Sequence, residues 1–238
     1  MNIVDIAEFY SRPLGKIAQD ILSRKLAPAM KVAPEQVVLG LGYGTPYLAT
    51  QLRSLAFMPA RSGVVHWPVT SGVRSALVDE LDLPLTESMI DVALVIHALE
   101  FSESPQELLN EIWRVLSPQG KLLLVVPNRR GLWSTSDVSP FGQGQPFSRS
   151  QILTLLKAEQ FSVKKIQHAL LAPPWANLAF ARGFEYLVGT GLERFSGAII
   201  IEATKQIYAY STGKPARRSI SRLRPVMLPQ GARPAHKV

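Results

Sequence analysis

Apolar residues recur along this chain with two periods, and the switches between them predict its elements. Near the start, Ile6, Tyr10, Ile17 and Ile21/Leu22 fall near helical spacing, which predicts a helical segment over 3–26, broken or kinked at Pro13. Gln36 to Leu41 is a short β-branched run ending in glycines and predicts a buried strand. Residues 47–55 then predict a helix, 63–66 a second strand, and 74–81 a brief helix or turn. Ile90 to Ile96, apolar but for Asp91, predicts a strand buried on both faces. From Ser104 to Leu116, Leu108, Leu109, Ile112 and Val115/Leu116 face one way, with Glu103, Glu107, Glu111 and Arg114 on the solvent side. Ser104 suits the N-cap of that helix, Pro105 its first turn, and Gly120 its close. Residues 122–126 predict a strand, 150–159 a helix, and 163–171 and 198–208 two further strands.

Helices alternating with near-continuous apolar strands imply an α/β fold with a parallel sheet covered on both faces. The last two strands lack a crossover helix of the same kind, so they are expected to form an antiparallel pair at one edge. Two intervening segments are expected to border a pocket. Residues 131–147 hold Pro140, Pro146, three glycines and Trp133, a loop of the length that serves as a lid. Residues 170–196 contain Pro173-Pro174-Trp175 and then Ala176, Phe180, Phe184 and Leu187 on one helical face. That face either packs on the sheet or docks a second protein or a lipid boundary.

With 238 residues, 47% of them hydrophobic and 18% charged, the chain has material for one sizeable core. No run approaches the ~18 uninterrupted apolar residues of a membrane span. Residues 1–10 include Asp5 and Glu8 and lack a basic leader region, so a cytoplasmic location is expected rather than secretion. The absence of cysteine excludes disulfides, thiolate metal sites and a cysteine nucleophile, and the four scattered histidines have no ligand spacing for a metal. Charge is divided unevenly. Lys205, Lys214, Arg217, Arg218, Arg222, Arg224, Arg233 and Lys237 lie in the last 34 residues, which hold no acid. The formal charge of +8 therefore resides there, and residues 1–204 are neutral overall. The organisation expected is a domain over 1–211, opened by an N-terminal helical segment (1–33), and a basic disordered tail over 212–238. The tail is either a solvated solubility segment or an electrostatic arm for an acidic partner, an anionic lipid surface included. Nucleic-acid binding is disfavoured, because the body carries no net positive charge and aromatics are absent after Tyr210.

The chemistry concentrates where the first strand runs through Val37-Val38-Leu39-Gly40-Leu41-Gly42-Tyr43-Gly44-Thr45-Pro46. Glycines allow a tight turn and close approach of a ligand, and Thr45-Pro46 suits a helix start that presents free N–H groups. Further on come Val78-Asp79-Glu80-Leu81-Asp82-Leu83-Pro84, Ile90 to Glu100, Arg114-Val115-Leu116-Ser117-Pro118-Gln119-Gly120 and Val126-Pro127-Asn128. In this order and spacing, over about 34–170, they resemble the class I S-adenosylmethionine-dependent methyltransferases, especially the type 11 small-molecule group. The resemblance implies a Rossmann-like seven-stranded sheet of order 3-2-1-4-5-7-6, strand 7 antiparallel, with S-adenosylmethionine over the carboxyl ends of the strands.

Carried over by residue, the resemblance places Gly40, Gly42 and Gly44 in the cofactor loop, Asp79 on the adenine amino group and Glu80 beside it. Ile96, His97 and Ala98 follow the fourth strand, where the methionine moiety and the acceptor meet, and His97 is the candidate general base. The competing reading of His97 is a polar strand-end residue satisfied by its neighbours. Asn128, Arg129 and Arg130 follow the fifth strand on the acceptor side, where the two arginines suit a carboxylate or phosphate, and Trp133 belongs to the lid. The sequence departs from the family at three places. Gly40 stands where an acid is usual, Pro46 replaces the third glycine, and the second strand, read as ending in Val64-Val65-His66-Trp67-Pro68, lacks the acid that grips the ribose. His66 and Trp67 are the candidate substitutes at that position. Two functions follow: methyl transfer to a small-molecule acceptor, or a catalytically inactive methyltransferase-like scaffold that binds and regulates a protein partner.

Overall fold

The computed structural model describes residues 2–49, 53–70, 72–136, 139–175, 177–185 and 191–206. Two helices open the chain, α1 (Ile3–Ser11) and α2 (Pro13–Leu26). Seven strands follow: β1 (Val37–Gly42), β2 (Arg53–Pro59), β3 (Ser75–Val78), β4 (Ile90–Ile96), β5 (Leu116–Pro127), β6 (Phe161–Ala169) and β7 (Ala198–Lys205). Between them lie α3 (Pro105–Val115), α4 (Arg149–Ala158) and α5 (Leu178–Phe184). The strands form one sheet in the order β3-β2-β1-β4-β5-β7-β6, parallel except for β7, which runs antiparallel to both neighbours.

Strand alternation assigns each apolar residue to one of two layers. Val38, Leu94, Ile96 and Val125 point to the face covered by Ile6, Phe9, Ile21 and Leu22 of α1 and α2. Leu39, Leu41, Ala93, Val95 and Leu124 point to the opposite face, beneath Leu108 and Ile112 of α3 and Ile152 and Leu156 of α4. Both faces are covered, which is why β4 reads as a near-continuous apolar run, interrupted only at Asp91, rather than an alternating one. Local signals set the helix boundaries. Asn2 caps α1 in a reciprocal box with Asp5, Pro13 opens α2 after the break at Arg12, and Ser148 with Gln151 forms a second capping box at α4.

Four expectations are corrected. Residues 47–55 are not a helix: after one 3-10 turn at Thr45–Tyr47 the chain enters β2 at Arg53, so the second strand is 53–59 and not 63–66. Ser54, Ala56 and Met58 alternate with Leu55 and Phe57, and this period-two pattern prevails over the weaker helical one. Residues 75–78 form β3 rather than a helix, pairing with Ala56 to Pro59. Gly120 lies within β5, since α3 passes directly into that strand at Leu116. Finally, Glu111 is buried rather than solvated: it accepts the Leu83 N–H at 2.7 Å and pairs with Arg114. The 212–238 tail lies outside the described residues.

Candidate functional site

The carboxyl ends of β1, β4 and β5 meet at one edge of the sheet, and the glycine turn closes it. Gly42 has φ +87°, and a Cβ there would sit 2.1 Å from the Ile96 carbonyl oxygen. The turn is held in place by the Tyr43 N–H, which donates to that same oxygen at 2.9 Å. A Cβ on Gly44 would come within 3.1 Å of the Gly40 Cα, and one on Gly40 would lie 2.9 Å from Leu48. The chain's own backbone thus accounts for Gly42 and crowds Gly44, whereas at Gly40 only the movable end of Leu48 stands in the way.

Just past β4, His97 adopts a left-handed backbone at φ +52°, a conformation that costs a non-glycine residue about 1–3 kcal/mol. Its side chain is fully buried and its ring is bonded on both sides. Nδ1 lies 3.1 Å from Oε1 of Glu100, itself 1% exposed, and Nε2 lies 2.9 Å from the Tyr10 hydroxyl. The Tyr47 hydroxyl reaches Tyr10 at 3.3 Å. One assignment satisfies the whole chain: Tyr47 donates to Tyr10, Tyr10 to Nε2, and Nδ1–H to Glu100. Glu100 keeps its second oxygen, Oε2, buried without a hydrogen-bond partner.

An aromatic cluster seals this network. Tyr10 stacks on Tyr43 of the glycine turn with centroids 5.3 Å apart, and Phe141 meets the His97 ring edge-on at 4.8 Å. Burial raises the Tyr10 hydroxyl well above its ordinary range, and it raises Tyr43 and Tyr47 as well, so these phenols remain protonated. Helix α1 therefore covers the glycine turn and occupies the free nitrogen of His97.

The remaining candidates divide into several groups. Asp79 is exposed after β3, accepting the Leu81 N–H at 2.9 Å. Glu80 is buried and paired with Arg61, which also reaches Glu103 at 2.9 Å. His66 is exposed, and Trp67 is buried beneath the Arg74 guanidinium. Neither stands at the end of β2, where the chain reads Met58-Pro59-Ala60; the acid is absent there too, though at other residues than expected. Asn128, 4% exposed, is fully engaged: its amide donates to the Arg194 and Ser196 carbonyls and its oxygen accepts from the Arg130 N–H. Trp133 is an internal anchor that donates to the Ala172 carbonyl at 2.8 Å. Arg129 donates to the Pro146 carbonyl and lines a separate cleft with Phe147 and Gln151.

Sequence reading missed Tyr10, Tyr47, Phe141 and the role of Glu100. Only Glu100 carried a local signal, three residues after His97 and before a helix. Tyr10 lies 87 residues from its partner, a distance no periodicity spans.

A family model described as a methyltransferase domain, type 11, matches residues 39–124. The sheet order and the antiparallel β7 complete the comparison. The chain has the class I methyltransferase fold. A Thermotoga maritima S-adenosylmethionine-dependent methyltransferase is 18% identical with a TM-score of 0.60, covering 84% of this chain and 94% of that one. A methyltransferase in complex with the Haloferax volcanii methyltransferase activator is 15% identical at TM-score 0.57, covering 82% and 92%. Streptomyces coelicolor geranyl diphosphate C-methyltransferase, bound to S-adenosyl-L-homocysteine, is 17% identical at TM-score 0.54, covering 77% and 75%. Among curated proteins none matches by sequence. Between β1 and β2 the described residues 43–49 contain one 3-10 turn, and α1 and α2 cover that face of the sheet.

Proposed function

We propose that this chain is an S-adenosylmethionine-dependent methyltransferase for a small-molecule acceptor, with His97 as general base. The observation that carries the reading is the buried Glu100–His97 pair at the end of β4, kept in a strained conformation beside the glycine turn. A carboxylate on Nδ1 fixes the tautomer and leaves Nε2 as the acceptor atom, suited to take a proton from a hydroxyl or amine. The carboxyl edge of an open α/β sheet is also where ligands of such folds bind. The Thermotoga and Streptomyces neighbours, by their descriptions, support S-adenosylmethionine as the cofactor.

When bound, the cofactor supplies an activated methyl group on its sulfonium. The residues suited to hold it are the Gly42–Gly44 turn for its methionine and ribose part and Asp79 for adenine. The chain's own work is then to orient the acceptor and accept its proton at Nε2. In the closed arrangement Tyr10 already bonds that nitrogen and covers Tyr43, so this reading requires α1 to lift before the reactants enter.

The same closure favours a second reading, a scaffold without catalysis that serves a protein partner. The segment beyond β6 suits that role, with Trp175 78% exposed and Phe180 also outward. Calorimetry with S-adenosylhomocysteine on the full-length protein separates the two. Saturable binding, weakened about 10- to 100-fold by Asp79→Asn through loss of a charged hydrogen bond, is the expected result. Absence of binding at millimolar ligand in folded wild type and in Tyr10→Phe overturns the enzyme reading.

A further inference from the structure

A second site lies along the same edge, beyond β5. A half-open cleft of about 570 Å³ sits over the ends of β5, β6 and the start of β7, with Ile199 and Leu153 in its wall. Three arginines from three separate elements line it: Arg130 from the turn after β5, Arg149 from the first turn of α4, and Arg194 from the 3-10 turn before β7. These guanidiniums outnumber the lining carboxylate, Glu193. Among the described residues neither Arg130 nor Arg149 makes an ion pair.

The arginines are held from below. Asn128 ties both basic turns together, accepting from the Arg130 N–H at 3.3 Å while its amide donates to the Arg194 carbonyl at 3.0 Å. Ser196 Oγ receives that amide as well and engages His168 Nδ1 at 2.9 Å, leaving Nε2 as the histidine's other polar atom in the cleft wall. The N-terminus of the ten-residue α4 opens into the same wall through Ser148, Arg149 and Ser150, adding the positive end of its dipole. The three side chains are exposed along the cleft, and Arg194 also lies over the Phe195 ring with its Cζ 5.2 Å from the centroid. Guanidiniums match the oxygens of phosphate in paired hydrogen bonds, and several of them call for more than one negative charge.

The geometry points to a phosphate-binding site in this cleft, for a small molecule carrying a phosphomonoester or diphosphate group. Its volume suits a phosphate with an organic portion lying toward Ile199 and Leu153. In the sheet order the cleft lies beyond β4 from the glycine turn, and its lining shares no residue with the Tyr10–His97–Glu100 network, so phosphate binding is tested independently of methyl transfer.

The test titrates full-length protein with inorganic pyrophosphate by calorimetry and, in parallel, with phosphatidate vesicles by flotation. The expected result is saturable pyrophosphate binding that weakens at least about tenfold in Arg149→Gln/Arg194→Gln, since each charged bond lost is worth about a decade or more. Arg53→Gln, exposed at the amino end of β2 and away from the cleft, leaves it unchanged. The double variant melts within about 2 °C of wild type without ligand, since both side chains are exposed, and this separates lost binding from misfolding. Vesicle binding lost in the double variant, with weak pyrophosphate binding, assigns the phosphate to a lipid headgroup. Equal binding of both probes by wild type and double variant places the anion elsewhere, such as the basic residues after 204, and overturns the site. No saturable binding of either probe overturns it too.

Discussion

Replacing Tyr10 with phenylalanine removes one oxygen from the closed site and leaves the ring stacked on Tyr43. The lost hydroxyl donates to His97 Nε2 at 2.9 Å and accepts from Tyr47 at 3.3 Å. Deleting it strands a buried ring nitrogen, which costs about 1–3 kcal/mol. In a domain of this size each kcal/mol moves the melting temperature by about 2–4 °C, so Tyr10→Phe is expected to melt about 2–12 °C below wild type. Burial keeps both phenols protonated, so neither oxygen brings a charge to the network. The same free energy leaves the closed form relative to the open one. If S-adenosylhomocysteine enters only the open form, its affinity rises by the matching factor, about 5- to 150-fold. Scanning calorimetry and ligand titration on the same preparations read both quantities. A lower melting temperature with weaker ligand binding refutes the reasoning, because Tyr10 would then belong to the ligand's own pocket. An unchanged melting temperature refutes the network itself.

Gly42→Ala forces a side chain onto φ +87° and toward the Ile96 carbonyl, and is expected to cost about 1–3 kcal/mol from backbone strain alone, read by urea denaturation. Glu111→Ala strands the Leu83 N–H and the Arg114 fork and is expected to lose about 1–3 kcal/mol, whereas the exposed Glu107→Ala stays within about 0.5 kcal/mol. The pKa of His168 is lowered in the folded protein, chiefly by burial, with Glu193 opposing the shift and Arg149 and Lys25 adding to it. The unfolded chain therefore binds a proton that the native one refuses, so stability falls as pH drops through about 6.5 toward the lower native value. Urea midpoints taken across that window decline in wild type and decline less in His168→Asn.

The sheet was legible in the sequence because its central strands are long and buried on both faces: Ile90 to Ile96 is bounded correctly to the residue. The same holds for the break at Pro13 and the start of α3 at Pro105, where backbone chemistry acts locally. Reading failed between Tyr47 and Val78, where β2 and β3 are short, partly exposed strands whose apolar residues fit either period. That error moved the expected ribose position from Met58-Pro59 to His66-Trp67. At the site, the glycine turn and His97 announce themselves in sequence, since each stands at a strand end. Tyr10, Phe141 and the convergence of Arg130, Arg149 and Arg194 do not, because tertiary folding alone brings them to one edge.

Tyr10 is translated long before the strand that receives it. Residues 11–96 must be made, and β1 and β4 paired, before its hydroxyl can find His97. Helix α1 is thus made before the strands it packs against, and its cap rests on Asn2. Whatever disturbs that cap bears directly on how tightly the site shuts.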